Sequence, residues 1–183
     1  MDARSRRSQQ KLRGAVLALA AQTPITELSV SAICREAGIT RDTFYRHAPD
    51  PVVLLADALA EDLDAVMALL PEREGIGEAE RALLAHVHRH AAVYRGAMHP
   101  VLAAPVRGIL ERAIREGLQL WTTLHPHIVP PTIATEQTAV RMATAYATAG
   151  TIGAIETWLA SGDDDIDRAT EVILAASPQW WLR

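Results

Sequence analysis

An all-α fold in two parts is what this sequence predicts, and three observations predict it. Apolar residues, 49% of the 183, recur at helical spacing, with no sustained apolar–polar alternation and few β-branched runs. Prolines and glycines fall between these stretches as punctuation. Charge is divided unequally: residues 1–47 hold eight Lys/Arg against four Asp/Glu, a net of +4, and residues 48–183 hold ten against eighteen, a net of −8. A basic head on an acidic body is the asymmetry expected of a nucleic-acid-binding module joined to something else. The predicted arrangement is an N-terminal three-helix domain, residues 1–49, joined to a larger all-helical domain, residues 50–183, with about nine helices in all.

The elements follow in order. Leu12, Val16 and Leu19 share one face of a first helix over about residues 6–22, which Thr23-Pro24 ends. Ser29 is a good N-cap for a helix from Val30 to about Ala37. Gly38 supplies a turn at positive φ, and Thr40 caps a third helix that runs to about His47, where Pro49 stops it. Asp50-Pro51 reads as an N-cap and first helical residue of a long helix to about Leu70. After a Glu/Gly-rich loop, helices are predicted over about Glu78–Gly96, Val106–His125 and Thr132–Ala160. Ser161-Gly162 closes the last of these, and Asp163–Asp165 open a final helix to about Ser177.

Composition excludes some classes. Half the chain is apolar, enough to bury a core. Cys34 is the only cysteine, so no intrachain disulfide can form, which fits a reducing compartment; it reads as a small core filler, with a redox-sensing thiol as the sharper alternative. No apolar run reaches the roughly 18 residues that span a membrane. Arg6-Arg7 before Gly14–Ala21 has some likeness to a signal peptide, but the segment has a better use as an amphipathic helix, and a cytoplasmic protein is expected.

The densest chemistry lies between Leu28 and Leu55, where two short helices flank a tight turn in the manner of a helix-turn-helix. A helix that enters a major groove needs short or forked polar side chains at its N-terminal end. Arg41 and Thr43 are so placed. Arginine can pair bidentately with guanine, worth about 1–3 kcal/mol of discrimination. Thr43 can meet a thymine methyl or a phosphate, Tyr45 and His47 can donate to phosphate oxygens, and Arg46 can neutralise one. Asp42 is awkward beside a polyanion; it can cap the helix start or accept from a cytosine amino group. Ile33, Ala37, Ile39 and Phe44 form the opposite, buried face. An ordinary helical hairpin with solvated charges remains the alternative on periodicity alone.

This segment resembles the DNA-binding domain of the TetR family of transcriptional regulators. The matching residues are Leu28-Ser29-Val30, Ile33, Ala37-Gly38-Ile39-Thr40, Thr43-Phe44-Tyr45-Arg46-His47 and Leu54-Leu55, and the match covers roughly residues 8–60. A weaker one lies in Gly150–Gly162, similar to a long family helix ending in Trp-Leu and glycine. The resemblance implies that Tyr45 is the phosphate-contacting tyrosine, that Arg41, Asp42 and Thr43 reach bases, and that Ser29, Ser31 and Thr40 belong to the same interface. It also implies a larger ligand-binding/dimerisation domain, a double-stranded DNA operator, a homodimer and a small-molecule effector. Three departures stand out: Ala48 replaces a usual phenylalanine, Pro51 replaces a phosphate-binding lysine, and the glycine that ends the first family helix is missing. Affinity is therefore expected to lean on Arg4, Arg6, Arg7 and Arg13.

In the body, Ala143, Ala147, Gly150, Gly153 and Ala154 are small residues that let another helix approach, either across a dimer seam or within one subunit. Tyr94, Met98, Trp121 and Tyr146 are candidates to line an apolar effector pocket, against a plain core-filling role for each. Trp180-Trp181 can dock back onto the body or stand exposed. His86 and His90, four apart, share a helix face, but two imidazoles make half a tetrahedral site and no metal is expected. No cofactor is expected either. No phosphate loop, nucleophile elbow or paired-carboxylate spacing indicates catalysis. The reading is a ligand-responsive regulator, with a repressor favoured. The alternatives are a helical protein-interaction module without specific DNA binding, or an enzyme using the His86–His90 helix.

Overall fold

A computed structural model of the chain describes residues 3–72, 75–97 and 103–182. The described residues form ten α-helices and four short 3-10 turns, with no strand among them. They divide into two compact units, one of residues 1–62 with 90–109 and one of residues 63–89 with 110–183.

The first unit begins with α1 (Ala3–Ala20), which starts earlier and stops sooner than its periodicity predicts. Leu12, Ala15, Val16 and Ala20 are buried along it, while Leu19 is only half-buried. A 3-10 turn, Ile25–Glu27, leads into α2 (Val30–Ala37), and α3 (Arg41–Tyr45) follows. α2 packs on α1, and α3 on α2. Ile33, Cys34 and Ala37 of α2 and Phe44 of α3 close this small core. Fully burying a side chain the size of Phe44 contributes about 1.5–3 kcal/mol. Ala48 is buried too, so the expected phenylalanine position is a small, closed site here.

α4 (Pro51–Met67) starts where the sequence predicts: Asp50 Oδ1 accepts the Val53 N–H at 2.9 Å. Leu54, Leu55, Ala58 and Leu59 of α4 are buried. The predicted 78–96 helix is two helices, α5 (Ile76–Arg89) and α6 (Ala91–Ala97), parted at His90. His90 Nε2 lies 3.0 Å from Asp62 Oδ2, a pairing across 28 residues of sequence that no local signal marks. α6 packs on α1 and on the Ile25–Glu27 turn, and Val93 and Tyr94 are buried.

The second unit contains the end of α4, α5, and most of α7 (Ala103–Leu124). It also contains α8 (Pro131–Ala134), α9 (Gln137–Ser161), α10 (Ile166–Ala176) and a closing 3-10 turn, Gln179–Leu182. The helix predicted over 132–160 is therefore also split, after Ala134. α10 packs on α5 and α9, and the closing turn packs on α5. Asp165 caps α10 by accepting the Arg168 N–H at 2.9 Å, and Gly162 closes α9 at φ 75°. Arg112 of α7 reaches Asp64 at 3.1 Å and Glu116 at 3.2 Å. Trp181 is buried with Leu70, Trp121 and Ile128, so the C-terminal tryptophan docks. Trp180 stacks on it at 4.2 Å between ring centroids.

Candidate nucleic-acid interface and body cavity

The turn between α2 and α3 is built by local chemistry. Ser29 Oγ accepts the Ala32 N–H at 3.2 Å and so caps α2. Gly38 takes φ 62°, ψ 42°, a left-handed conformation that a side chain would oppose. The Ile39 N–H then donates to the Cys34 carbonyl at 2.9 Å. Thr40 Oγ1 accepts the Thr43 N–H at 3.3 Å and caps α3. Thr40, not Asp42, therefore fills the capping role; Asp42 Oδ2 instead lies 3.5 Å from Arg46 Nη2.

Every candidate residue of this segment reaches the surface. Ser29, Ser31, Thr40, Arg41, Asp42, Tyr45 and Arg46 are exposed, and Thr43 and His47 are half-buried. Arg41 Nη2 donates to Ser31 Oγ, which ties the first turn of α3 to α2. Arg46 Nη2 donates to Thr43 Oγ1 at 2.8 Å. Tyr45 is 59% exposed, its ring edge-on to buried Phe44 at 5.5 Å, so the phenol stands outward from an anchored neighbour. Cys34 is buried behind this surface, and burial pushes its thiol up, with Arg41 pulling partly against it. A thiol so placed stays protonated, which favours the core-filler reading.

Beside α3 lies an open groove whose wall includes Arg4, Arg7, Lys11, Thr43, Arg46 and His47. The arm predicted to compensate for Pro51 is thus partly in place, and Lys11 joins it. Arg13 does not: its Nη1 pairs with Glu61, and its Nε is sealed from solvent without a hydrogen-bond partner. That correction has a simple cause. Arg13 follows the buried Leu12 on α1 and is itself mostly covered, at 20% side-chain exposure.

The body holds a cavity in the second unit, lined by α4, α5, α7, α9, α10 and the closing turn. Its space is about 610 Å³ with its mouth included, of which about 60 Å³ is free to the centre of a water-sized sphere. The wall is aliphatic and aromatic, with Met67, Leu83, Ile114, Trp121, Leu174 and Trp181 among its residues. A Cβ on Gly117 would meet the flexible end of the Met67 side chain. Among the described residues of the wall, Glu80 is the only ionisable one. Its Oε1 is sealed from solvent with no partner, and burial pushes the carboxyl up to about 7.

Of the four aromatic and soft residues proposed from sequence, the described part of this cavity's wall holds one. Trp121 lines the cavity. Tyr94 is buried in the first unit, and Tyr146 is 75% exposed on α9. Met98 lies outside the described residues. Large aromatic residues are visible in a sequence, whereas Glu80, one acid among many on an amphipathic helix, carries no mark of its burial. Of the histidines, His86 is fully buried on α5, and His88 stacks with Trp158 at 6.2 Å. α5 ends at Arg89, and His90 stands just beyond it.

This is an all-helical fold, with a helix-turn-helix head and a helical body. In particular it is the fold of TetR-type proteins. No protein-family model matches the sequence, and no curated relative does. Solved structures match across nearly the whole chain. The dihydroxyacetone kinase operon activator DhaS is 15% identical at a TM-score of 0.70, covering 96% of this chain and 98% of its own. A tetR-family transcriptional regulator from Streptomyces coelicolor is 17% identical at 0.63, covering 98% and 85%. RolR without ligand is 18% identical at 0.60, covering 92% and 89%; its complex with resorcinol is 20% identical at 0.58, covering 95% and 89%. At these identities the likeness is one of fold, and it supports the resemblance carried by residues 28–55.

Proposed function

We propose that this chain is a TetR-family transcription regulator. It works in the cytoplasm as a homodimer, reads a double-stranded operator through α2 and α3, and acts as a repressor released by a small-molecule effector in the body. The observation that carries the reading is the surface row of exposed Arg41, Tyr45 and Arg46 with half-buried Thr43, at a capped helix beside a basic groove. Arg41 and Thr43 read base edges; Tyr45, Arg46, His47 and the Arg4–Lys11 arm hold phosphates. Residues 1–49 form the DNA-binding domain, and residues 50–183 form the effector and dimerisation domain.

A dimer suits the task, because two recognition helices meet half-sites about 34 Å apart. Met142, Tyr146 and Val172 are large apolar residues exposed on α9 and α10, and Gly150 and Gly153 face open space. These helices supply the seam. Effector release is a population shift: the ligand favours a dimer whose recognition helices no longer match the operator. A fifty-fold loss of affinity needs only about 2–3 kcal/mol of coupling. Footprinting on a selected duplex tests the reading. Two protected half-sites one helical turn apart are expected. A single protected half-site, or none, overturns it.

A further inference from the structure

We propose that the body cavity binds a small organic ammonium ion with an apolar body, its N–H group paired to Glu80 Oε1 and its hydrocarbon against Leu83, Ile114, Trp121 and Trp181. The inference rests on the regulator reading only for what binding does, not for the binding itself.

Three features of the cavity lead there. First, the carboxyl oxygen of Glu80 is sealed from solvent and has no hydrogen-bond partner. A buried polar group in that state is costly until a donor reaches it. Second, among the described residues the wall offers no compensating charge. Its other side chains are aliphatic, hydroxyl (Thr151 and Ser177) or indole, and the Nε1–H groups of Trp121 and Trp181 are likewise sealed from solvent without a partner. The nearest charged neighbours along α5 are otherwise placed: Glu78 is exposed, and Arg81 Nε donates to Asp167 of α10 at 2.6 Å. Third, the wall carries two indoles, Trp121 and Trp181, and aromatic rings receive cations well in a desolvated site.

These features rank the possible ligands. An anion can accept from the two indole N–H groups, but it meets the Glu80 carboxyl in a wall whose described residues include no cation. A neutral alcohol supplies a donor but no counter-charge. An ammonium supplies both, and a charge-assisted hydrogen bond is about twice as strong as a neutral one. Burial alone pushes the empty carboxyl up to about 7, so a bound cation would restore its ionised form. The free space, about 60 Å³ to the centre of a water-sized sphere, favours a compact molecule.

Calorimetric titration of the full-length protein tests this with shape-matched probes. The first set is 2-phenylethylamine, 2-phenylethanol and 3-phenylpropanoate; the second is hexylamine, hexanol and hexanoate. In at least one set the amine is expected to bind at least tenfold tighter than its alcohol and its carboxylate. Glu80→Gln, which keeps the side-chain shape, is expected to erase that preference. An alcohol or carboxylate that binds as well as the amine in both sets overturns the proposal. So does a wild-type protein that binds neither amine, or a folded Glu80→Gln variant that keeps the preference. The wild-type ranking decides by itself if the variant does not fold. Operator affinity measured with the amine separates the two readings. Amine binding that leaves operator affinity unchanged keeps this inference and removes the effector role.

Discussion

Arg41 and Arg46 are held by neighbours on the face they present: Arg41 by Ser31, Arg46 by Thr43 and, at 3.5 Å, by Asp42. Side chains already ordered lose less freedom on binding. Replacing Arg41 with Ala should therefore cost about 1–3 kcal/mol at its cognate base and relax specificity at one or two base pairs. Competition binding against singly substituted sites measures this; an unchanged site preference contradicts the placement. Tyr45→Phe should weaken all sequences alike by about 1 kcal/mol, since only a phosphate bond is lost. Glu80 gives a pH prediction. Its carboxyl is raised from 4.5 to about 7, so the fold holds a proton that the unfolded chain has released. Its contribution to stability is complete below pH 4.5 and is lost as pH rises through about 7. At most the loss is on the order of 3 kcal/mol. Urea melts between pH 5 and 8 should show this fall in the wild type and a flatter profile in Glu80→Gln. At this scale the surface row of α2 and α3 was legible because it is contiguous in sequence. Glu80 was not, because its burial is set by α7, α10 and the closing turn.

Capping and turn chemistry decide the helices of the head. Ser29, Gly38, Thr40 and Asp50 each do what their residue type predicts, and so does Asp165 in the body. Gly38→Ala should cost about 1–2 kcal/mol, the penalty for a Cβ in the left-handed region, since open space around it removes any steric relief or clash from the account. A lower urea midpoint with an unchanged slope would show it; no change would contradict the turn as described. The two predicted helices that failed broke for different reasons, one beside a long-range pairing and one at a local turn. His90 sits between α5 and α6, and its imidazole partner, Asp62, lies far off in sequence. No proline or glycine announces that break. α8 and α9 part at Thr135 and Glu136, where the Glu136 N–H donates to Ile133 at 3.3 Å and the next helix starts anew.

For the whole molecule, the division of charge between head and body was plain in the sequence, and the all-helical class followed from periodicity. The cavity's lining was not plain, because a cavity is a property of packed faces and not of any one helix. If α9 and α10 form the seam between protomers, a charge placed there should split the dimer. Tyr146→Glu, at a site 75% exposed on α9, is expected to give a folded monomer by sedimentation, with operator affinity reduced to that of a single half-site. A variant that stays dimeric would move the seam elsewhere. The central claim is that the basic head is a sequence reader. Selection from a random duplex pool, followed by anisotropy titration of the enriched site at several salt concentrations, tests it most directly. The account predicts an enriched near-palindrome whose affinity falls steeply and linearly with the logarithm of salt concentration. No enrichment, with weak binding that ignores salt, would contradict it and leave the arginine-rich surface as solvated charge.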